Sequence, residues 1–367
     1  MDVIEHRSAA PTGDRTRLPG PDVVRAVALI GVVVMNYHGY LVIAGAPRGD
    51  GWWDELFDPW EGPLSTRFAA TFVVTAGVGV TLLTRSATTP ALVRARRWTL
   101  LRRGLVLFVL GWWIYEVHWA GSILPYYGAL FALAALMFTW RSWVLGIVGT
   151  AAAVAGAGLA WWRLERQLDG RSTDWLFDPD RWTPRGLILD TVVNGTHPLL
   201  PWLTFFCAGI VLGRVLATAW WRPLTIAAGM TMYAMATIVS TSAGTGRRAV
   251  ELTSVHNADR ALTYTASALG TALVAFAVIS WIADRWPTNP LIEALRHAGA
   301  MTLTLYLLHI VVYKLVVDHL GWVEPNGLGT ALTFAAIFWV VAIAAAAGYH
   351  GRFGIGPAEW VYRKLGG

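Results

Sequence analysis

Apolar residues run along most of this chain in blocks of about twenty, interrupted by short polar or Pro/Gly-rich breaks. Blocks of that length match the roughly 30 Å of hydrocarbon in a bilayer. About ten stand out by this criterion, over residues 23 to 44, 65 to 84, 101 to 118, 122 to 139, 143 to 162, 198 to 213, 224 to 242, 262 to 283, 299 to 317 and 328 to 348. They predict an all-α polytopic integral membrane protein, a bundle of about ten transmembrane helices. Most connections are short, so residues 21–348 read as one helical domain, followed by a C-terminal segment over 349–367. Residues 1–20 are polar, carry Pro11 and Pro19 and lack the apolar core of a signal peptide, which predicts a loose cytoplasmic tail.

Composition strengthens this picture. Hydrophobic residues make up 55% of the 367 and charged residues only 14%, with a mean hydropathy of +0.49, far from the balance of a soluble domain. The formal charge of +6 could point to nucleic acid, but the basic residues cluster beside span ends instead of forming a basic domain. Arg7, Arg15 and Arg17 precede the first span with Arg25 in its first turn, Arg94, Arg96 and Arg97 precede the third with Arg102 and Arg103 in its first turn, and Arg285, Arg296, Arg352, Arg363 and Lys364 fall on the same side if spans alternate. The positive-inside rule then predicts both termini in the cytoplasm of a multi-pass plasma-membrane protein. Paired tryptophans at predicted span ends (Trp52 and Trp53, Trp161 and Trp162, Trp220 and Trp221) suit an interfacial belt. The lone Cys207 has no partner for an internal disulfide. Nothing in the sequence sets the oligomeric state, and a homo-oligomer stays open.

Polar residues at membrane depth carry the candidate chemistry, because they are expensive there and face protein or a wet cavity. The first span holds Asp22, Arg25, Asn36 and His38. At about 100° and 1.5 Å per residue, Asn36 falls within about 20° of Arg25, while His38 lies about 20 Å along the helix and roughly 140° away. His38 reads either as a hydrogen-bonded structural histidine or as a base. In the ninth span Thr302, Tyr306, His309 and Tyr313 form one stripe, either a satisfied network or a proton-transfer group. The third span ends with Tyr115, Glu116 and His118, an interfacial cluster or an acid/base pair. His197 opens HPLLPW, where Pro198 and Pro201 suit an irregular helix start at the outer mouth.

Three loops stand apart: the acidic, aromatic segment 45–64, the long break 163–197 with the sequon Asn194-Gly195-Thr196, and 243–261. Neither GxxxxGK[ST] nor HExxH nor a cysteine-rich cluster occurs, so ATP hydrolysis and thiolate-bound zinc lack support, and no metal or prosthetic group is expected.

Asp22, Arg25, Ala28, Gly31 and Asn36 spell D-x-x-R-x-x-A-x-x-G-x-x-x-x-N. FAATFVVTAGVGVTLL from Phe68, RRWTLLRRGLVLFVLGW with GSILPYYGAL, HPLLPW to GIVLGR, and RHAGAMTLTLYLLH with FGIGPAEWVYRKL follow in order. Together, over most of the chain, they resemble the YeiB-type membrane proteins and their heparan-α-glucosaminide N-acetyltransferase-like relatives in the transmembrane acyltransferase superfamily. The resemblance implies a bundle of about ten helices and transfer of an acyl group, such as acetyl, from cytosolic acyl-CoA to an extracytoplasmic glycan, lipid-linked sugar or small molecule. Arg25, Arg102 and Arg103 become candidates for the CoA phosphates, with Asp22 orienting Arg25. His38, then His197 or His309, become candidate bases, with Asn36 and Glu116 beside them. There are departures: the catalytic histidine of the heparan-type enzymes falls where this chain has Pro47, and the YeiB type tends to carry histidine at Ile114 and glutamine at His309. A proton-coupled transporter or exporter is the rival reading, and a membrane scaffold the third.

Overall fold

A computed structural model describes residues 19–118 and 121–367, with the side chains of Val117 and His118 left aside. The expected tail, apart from its last two residues, and the His118 side chain therefore lie outside the described residues. The chain is helical, with no strand among the described residues. In order come α1 (Pro19–Ile43), α2 (Trp52–Leu56), α3 (Arg67–Thr84), α4 (Pro90–His118), α5 (Leu124–Met137), α6 (Ser142–Leu168), α7 (Asp174–Phe177), α8 (Pro184–Leu189), α9 (Leu199–Val215) and α10 (Trp221–Ser242). Then follow α11 (Arg247–Thr253), α12 (Leu262–Arg285), α13 (Pro290–Ala300), α14 (Thr302–Tyr313), α15 (Gly327–Phe353) and α16 (Pro357–Gly366). π-helical turns extend α8 over Asp190–Asn194 and α14 over Lys314–His319.

All ten apolar blocks fall on helices, but the count of ten spans is not reproduced. Among the described residues seven helices are long and apolar enough to cross a membrane: α1, α3, α6, α10, α12, α14 with its π turn, and α15. An eighth crossing arises if α8 and α9 are one span bent by 57°. The other two blocks fall short for physical reasons. α5 has 14 residues and spans only about 21 Å. α4 has 29 residues, but its first half carries Arg94, Arg96, Arg97, Arg102 and Arg103. The two pack as an antiparallel pair, so one long and one short helix share one side of the bundle.

Local chemistry explains the helix ends. Pro19 and Pro21 sit in the first turn of α1, where a missing N–H matters least, and Asp22 there complements the helix dipole. Asn289 caps α13 by accepting from Leu291 N and Ile292 N, with Pro290 in the first turn. Gly354, at φ +71°, stops α15 in the left-handed region that glycine enters freely.

Hydrophobic burial does not drive helices together inside lipid, so close packing must. Glycines supply it at four crossings. A Cβ on Gly104 of α4 would sit 2.6 Å from the Gly128 carbonyl oxygen of α5. The same opposition joins Gly77 and Gly209 across α3 and α9, and Gly229 and Gly270 across α10 and α12. Gly299 of α13 lies against the Asp22 backbone of α1, where a Cβ would meet the carbonyl oxygen at 1.8 Å. α1 is the hub, packed on α3, α12, α13, α14 and α15, and this central position places its polar residues inside protein. Below, the near end is the level of Asp22 and the far end that of Ile43.

Candidate functional site

The far half of α1 forms one wall of a cavity of about 330 Å³ lined by Asn36, Tyr40, Trp60, Thr66, His197 and Tyr306 among others. That volume lies at the lower end of the range for small-molecule sites. Gly121 and Ile123, in the non-helical stretch before short α5, also line it. Irregular backbone at membrane depth is tolerated where it borders such a space. Here Ile123 N donates to Tyr306 Oη at 3.3 Å, which satisfies one of its groups.

Asn36 sits at the join between α1 and α14. Its Nδ2 lies 3.2 Å from His309 Nε2. His309 Nδ1 is in contact with the Tyr306 carbonyl oxygen, which accepts only, so the network puts the ring proton on Nδ1 and leaves Nε2 as acceptor for the Asn36 amide N–H. The second amide hydrogen and Oδ1 of Asn36 are thereby left for other partners. His309 is fully buried among the rings of Tyr37, Tyr40 and Tyr306, and Tyr37 Oη donates to the His309 carbonyl at 3.0 Å. Tyr306 Oη in turn donates to Ser122 Oγ at 3.3 Å. The stripe of Thr302, Tyr306, His309 and Tyr313 is buried as one face.

The angular reading of α1 holds in space. Asn36 faces the cavity, whereas His38 is buried elsewhere and its Nδ1 lies 2.8 Å from the Phe57 carbonyl oxygen, past α2. His38 is not among the cavity-lining residues. His197 is among them, with Nδ1 3.0 Å from Thr196 Oγ1 and its ring edge-on to Trp202 at 4.5 Å. Glu116 is half-buried; its neighbour Tyr115 lines the cavity instead.

A buried cluster that the sequence did not disclose shapes the far wall. Tyr126 Oη donates to Asp190 Oδ2 at 3.0 Å and accepts from Thr196 N at 3.2 Å. Arg181 Nε pairs with Asp190 Oδ1 at 3.1 Å and its guanidinium lies over the Tyr115 ring. Gly195 is required here, since a Cβ would fall 1.9 Å from Tyr126 Oη. Arg260 donates to the carbonyls of Val193, Asn194 and Gly195; burial lowers its pKa, with the nearby Tyr264 phenol opposing. Asn194 of the sequon spends its Nδ2 on the Leu176 carbonyl. The sequence signals nearest to this cluster were the long break 163–197, with its sequon, and the segment GSILPYYGAL that holds Tyr126.

The near-end arginines are placed apart from the cavity. Arg25 Nη1 donates to Asp22 Oδ1 at 3.2 Å and to the Gly299 carbonyl at 3.4 Å. Arg103 Nη2 donates to the Gly367 carbonyl at 3.2 Å and its guanidinium lies over Tyr362. Arg102 is exposed, against Gly367. Burial raises the Tyr362 phenol pKa and the Arg103 and Arg25 charges oppose this, so Tyr362 of α16 stands within electrostatic reach of both. The nine candidate residues thus separate into a far-end set, Asn36, His197 and His309, a near-end set, Asp22, Arg25, Arg102 and Arg103, and two, His38 and Glu116, outside both. No group of three or more metal-ligating side chains occurs among the described residues.

A multi-pass helical membrane protein with a cavity of mixed polar and apolar lining beside its first helix is the class that fold and site define. The model of the heparan-alpha-glucosaminide N-acetyltransferase catalytic family matches residues 17–255, and this chain belongs to that family. A second model, described as a protein of unknown function (DUF418, the YeiB type), matches residues 210–366. No curated protein matches the chain. Asn36 lies in the first matched segment and His309 in the second, so their contact joins the two.

Proposed function

We propose that the protein transfers an acyl group, acetyl foremost, from cytosolic acyl-CoA to an amine or hydroxyl acceptor that enters the far-end cavity from outside the plasma membrane. The observation that carries this reading is the Asn36 amide on the cavity wall, tethered by His309 Nε2, in a chain of an N-acetyltransferase family.

Chemically, the acceptor nitrogen or oxygen attacks the thioester carbonyl carbon, the C–S bond breaks, and the acceptor proton leaves to a base while the thiolate departs. Asn36 suits the developing oxyanion: its orientation is set in advance by His309, and a pre-oriented donor of that kind is worth about 10²–10³ in rate. His197 is the base that the cavity favours, because it lines the cavity where His38 does not. His309, with Nε2 engaged by the amide, acts by positioning Asn36. Arg25, Arg102 and Arg103 lie at the opposite end, where the donor phosphates would approach. Pro47, which stands at the position of the heparan-type histidine, supplies no base, so a transfer reaction in this chain needs another, and His197 fills that need.

Purified protein in lipid nanodiscs, given isotopically labelled acyl-CoA donors and envelope acceptors, provides the test. Labelled product with wild type and about 10²-fold less with N36A is the expected result. No transfer, no thioester hydrolysis and no CoA binding across the donor panel defeats the reading. The break between α8 and α9, bent by 57° beside His197, favours the rival, since broken helices mark transporter sites. CoA-independent uptake into proteoliposomes supports that alternative.

A further inference from the structure

Away from the far-end cavity, a second hollow of about 440 Å³ opens between α6, α9, α10 and α12. Its wall is apolar and small: Leu145, Gly146, Ala208, Val211, Leu224 and Leu273 are among its lining. The space beside Gly146 is open, since a Cβ there would meet nothing within 4 Å. The hollow faces outward, because α6 and α10 bury only 28% and 17% of their apolar windows. Along α9 it runs from Thr204 to Val215, about 16 Å at 1.5 Å per residue. That is close to half of a 30 Å hydrocarbon core, the depth of one leaflet.

Its near-end rim is charged and interfacial. Ser142, Thr218 and Trp221 line it there, and Trp143 and Trp220 stand exposed at the same level, as aromatic side chains do at the headgroup boundary. Arg214 Nη1 donates to Ser142 Oγ at 3.0 Å and Nη2 to the Phe138 carbonyl at 2.9 Å. Both acceptors are neutral, so these bonds orient the guanidinium without compensating its charge. Arg222, by contrast, already pairs with Asp284. Arg141 adds a second exposed cation at the start of α6, next to Ser142.

We propose that this hollow is a binding site for an anionic phospholipid, one acyl chain lying between α6 and α10 and the phosphate at Arg214. An aliphatic chain fills an apolar, outward-facing hollow that water would occupy unfavourably. A phosphate supplies the charge-assisted acceptor that Arg214 lacks among the described residues, and basic pockets between helices on a cytoplasmic side are recognised lipid headgroup sites.

Native mass spectrometry of the purified full chain, titrated with phosphatidylglycerol or phosphatidylcholine, tests this. Wild type retains phosphatidylglycerol about fivefold better than phosphatidylcholine, the effect of one basic residue at a headgroup. R214Q removes that preference, and T150W, which fills the hollow without touching the Arg214 bonds, weakens retention of both lipids. Inorganic phosphate at matched concentration does not displace the bound lipid. Equal retention of the two lipids by wild type, an unchanged preference in R214Q, or unchanged retention in T150W overturns the site. If R214Q is not recovered folded, the T150W and wild-type results decide.

Discussion

The far and near ends of this bundle are built on opposite principles. At the far end, α1, α14 and the irregular segments 121–123 and 195–198 leave a cavity whose wall carries Asn36, His197 and Tyr306. At the near end, Gly299 brings α13 onto the α1 backbone, and α16 folds back across α4 and α14. Glu359 of α16 accepts from Leu303 N at 2.6 Å and Thr304 N at 3.2 Å and takes the Thr304 hydroxyl as well. It thus satisfies the first turn of α14 with a carboxylate, the charge which that helix end favours. One end keeps room for a reactant, while at the other Gly299 and Glu359 hold helices in register. Both depend on α14: His309 positions Asn36 from one part of the helix, and Glu359 anchors its start.

The sharpest way to break this comparison is at Asn36. N36A should lower transfer about 10²–10³-fold with donor binding kept, read by labelled product formation and by CoA binding. Near-normal turnover would show that the far cavity is not where acyl groups move. H197Q should follow with a loss of about 10²-fold or more and an altered pH–rate profile. H38Q, whose wild-type partner is the Phe57 carbonyl, should instead stay within about threefold, a spread well below that of removing a general base. If H38Q proves the more damaging, the base lies outside the cavity described here.

The near end is tested by packing. G299V should destabilise by about 1–3 kcal/mol, the usual range for overpacking, seen as a lower thermal midpoint and faster aggregation in detergent. A tolerated valine would mean that α13 is free to move from α1. E359Q keeps the shape and removes the charge; about 1 kcal/mol is expected, with faster amide exchange at Leu303 and Thr304. The smallest effect concerns His297 of α13, stacked on His350 at 4.2 Å. Burial and the Arg296 charge hold its imidazole below the usual histidine range, with Glu293 opposing. The unfolded chain therefore binds the proton more readily, and this stability, present above the ordinary histidine pKa of about 6.5, is lost as the pH falls through it toward the lowered folded value. Wild type should melt at a lower temperature at pH 5.5 than at pH 7.5, and H297Q should flatten that difference.

Much of the site was legible one helix at a time. The 3.6-residue period placed Asn36 apart from His38, and the stripe through Tyr306 and His309 emerged from the same arithmetic. What escaped were relations between helices. No local pattern announces that Asn36 will meet His309 across 273 positions, or that Tyr126, Asp190 and Arg181 will close the far wall. The count of ten spans is not reproduced at α4 and α5, because hydropathy registers apolar length but not that one helix starts at Leu124 and ends after 14 residues.

By itself the sequence determined a helical membrane protein, its family segments and which side chains would be too polar to face lipid, because backbone hydrogen bonding in hydrocarbon and the cost of burying charge act residue by residue. Only the tertiary structure decided which of those side chains share a cavity and which are tied into packing. Glycine crossings such as Gly77 with Gly209 set helix spacing to within a methyl group, and such contacts are a property of two surfaces meeting, not of either strand of sequence alone.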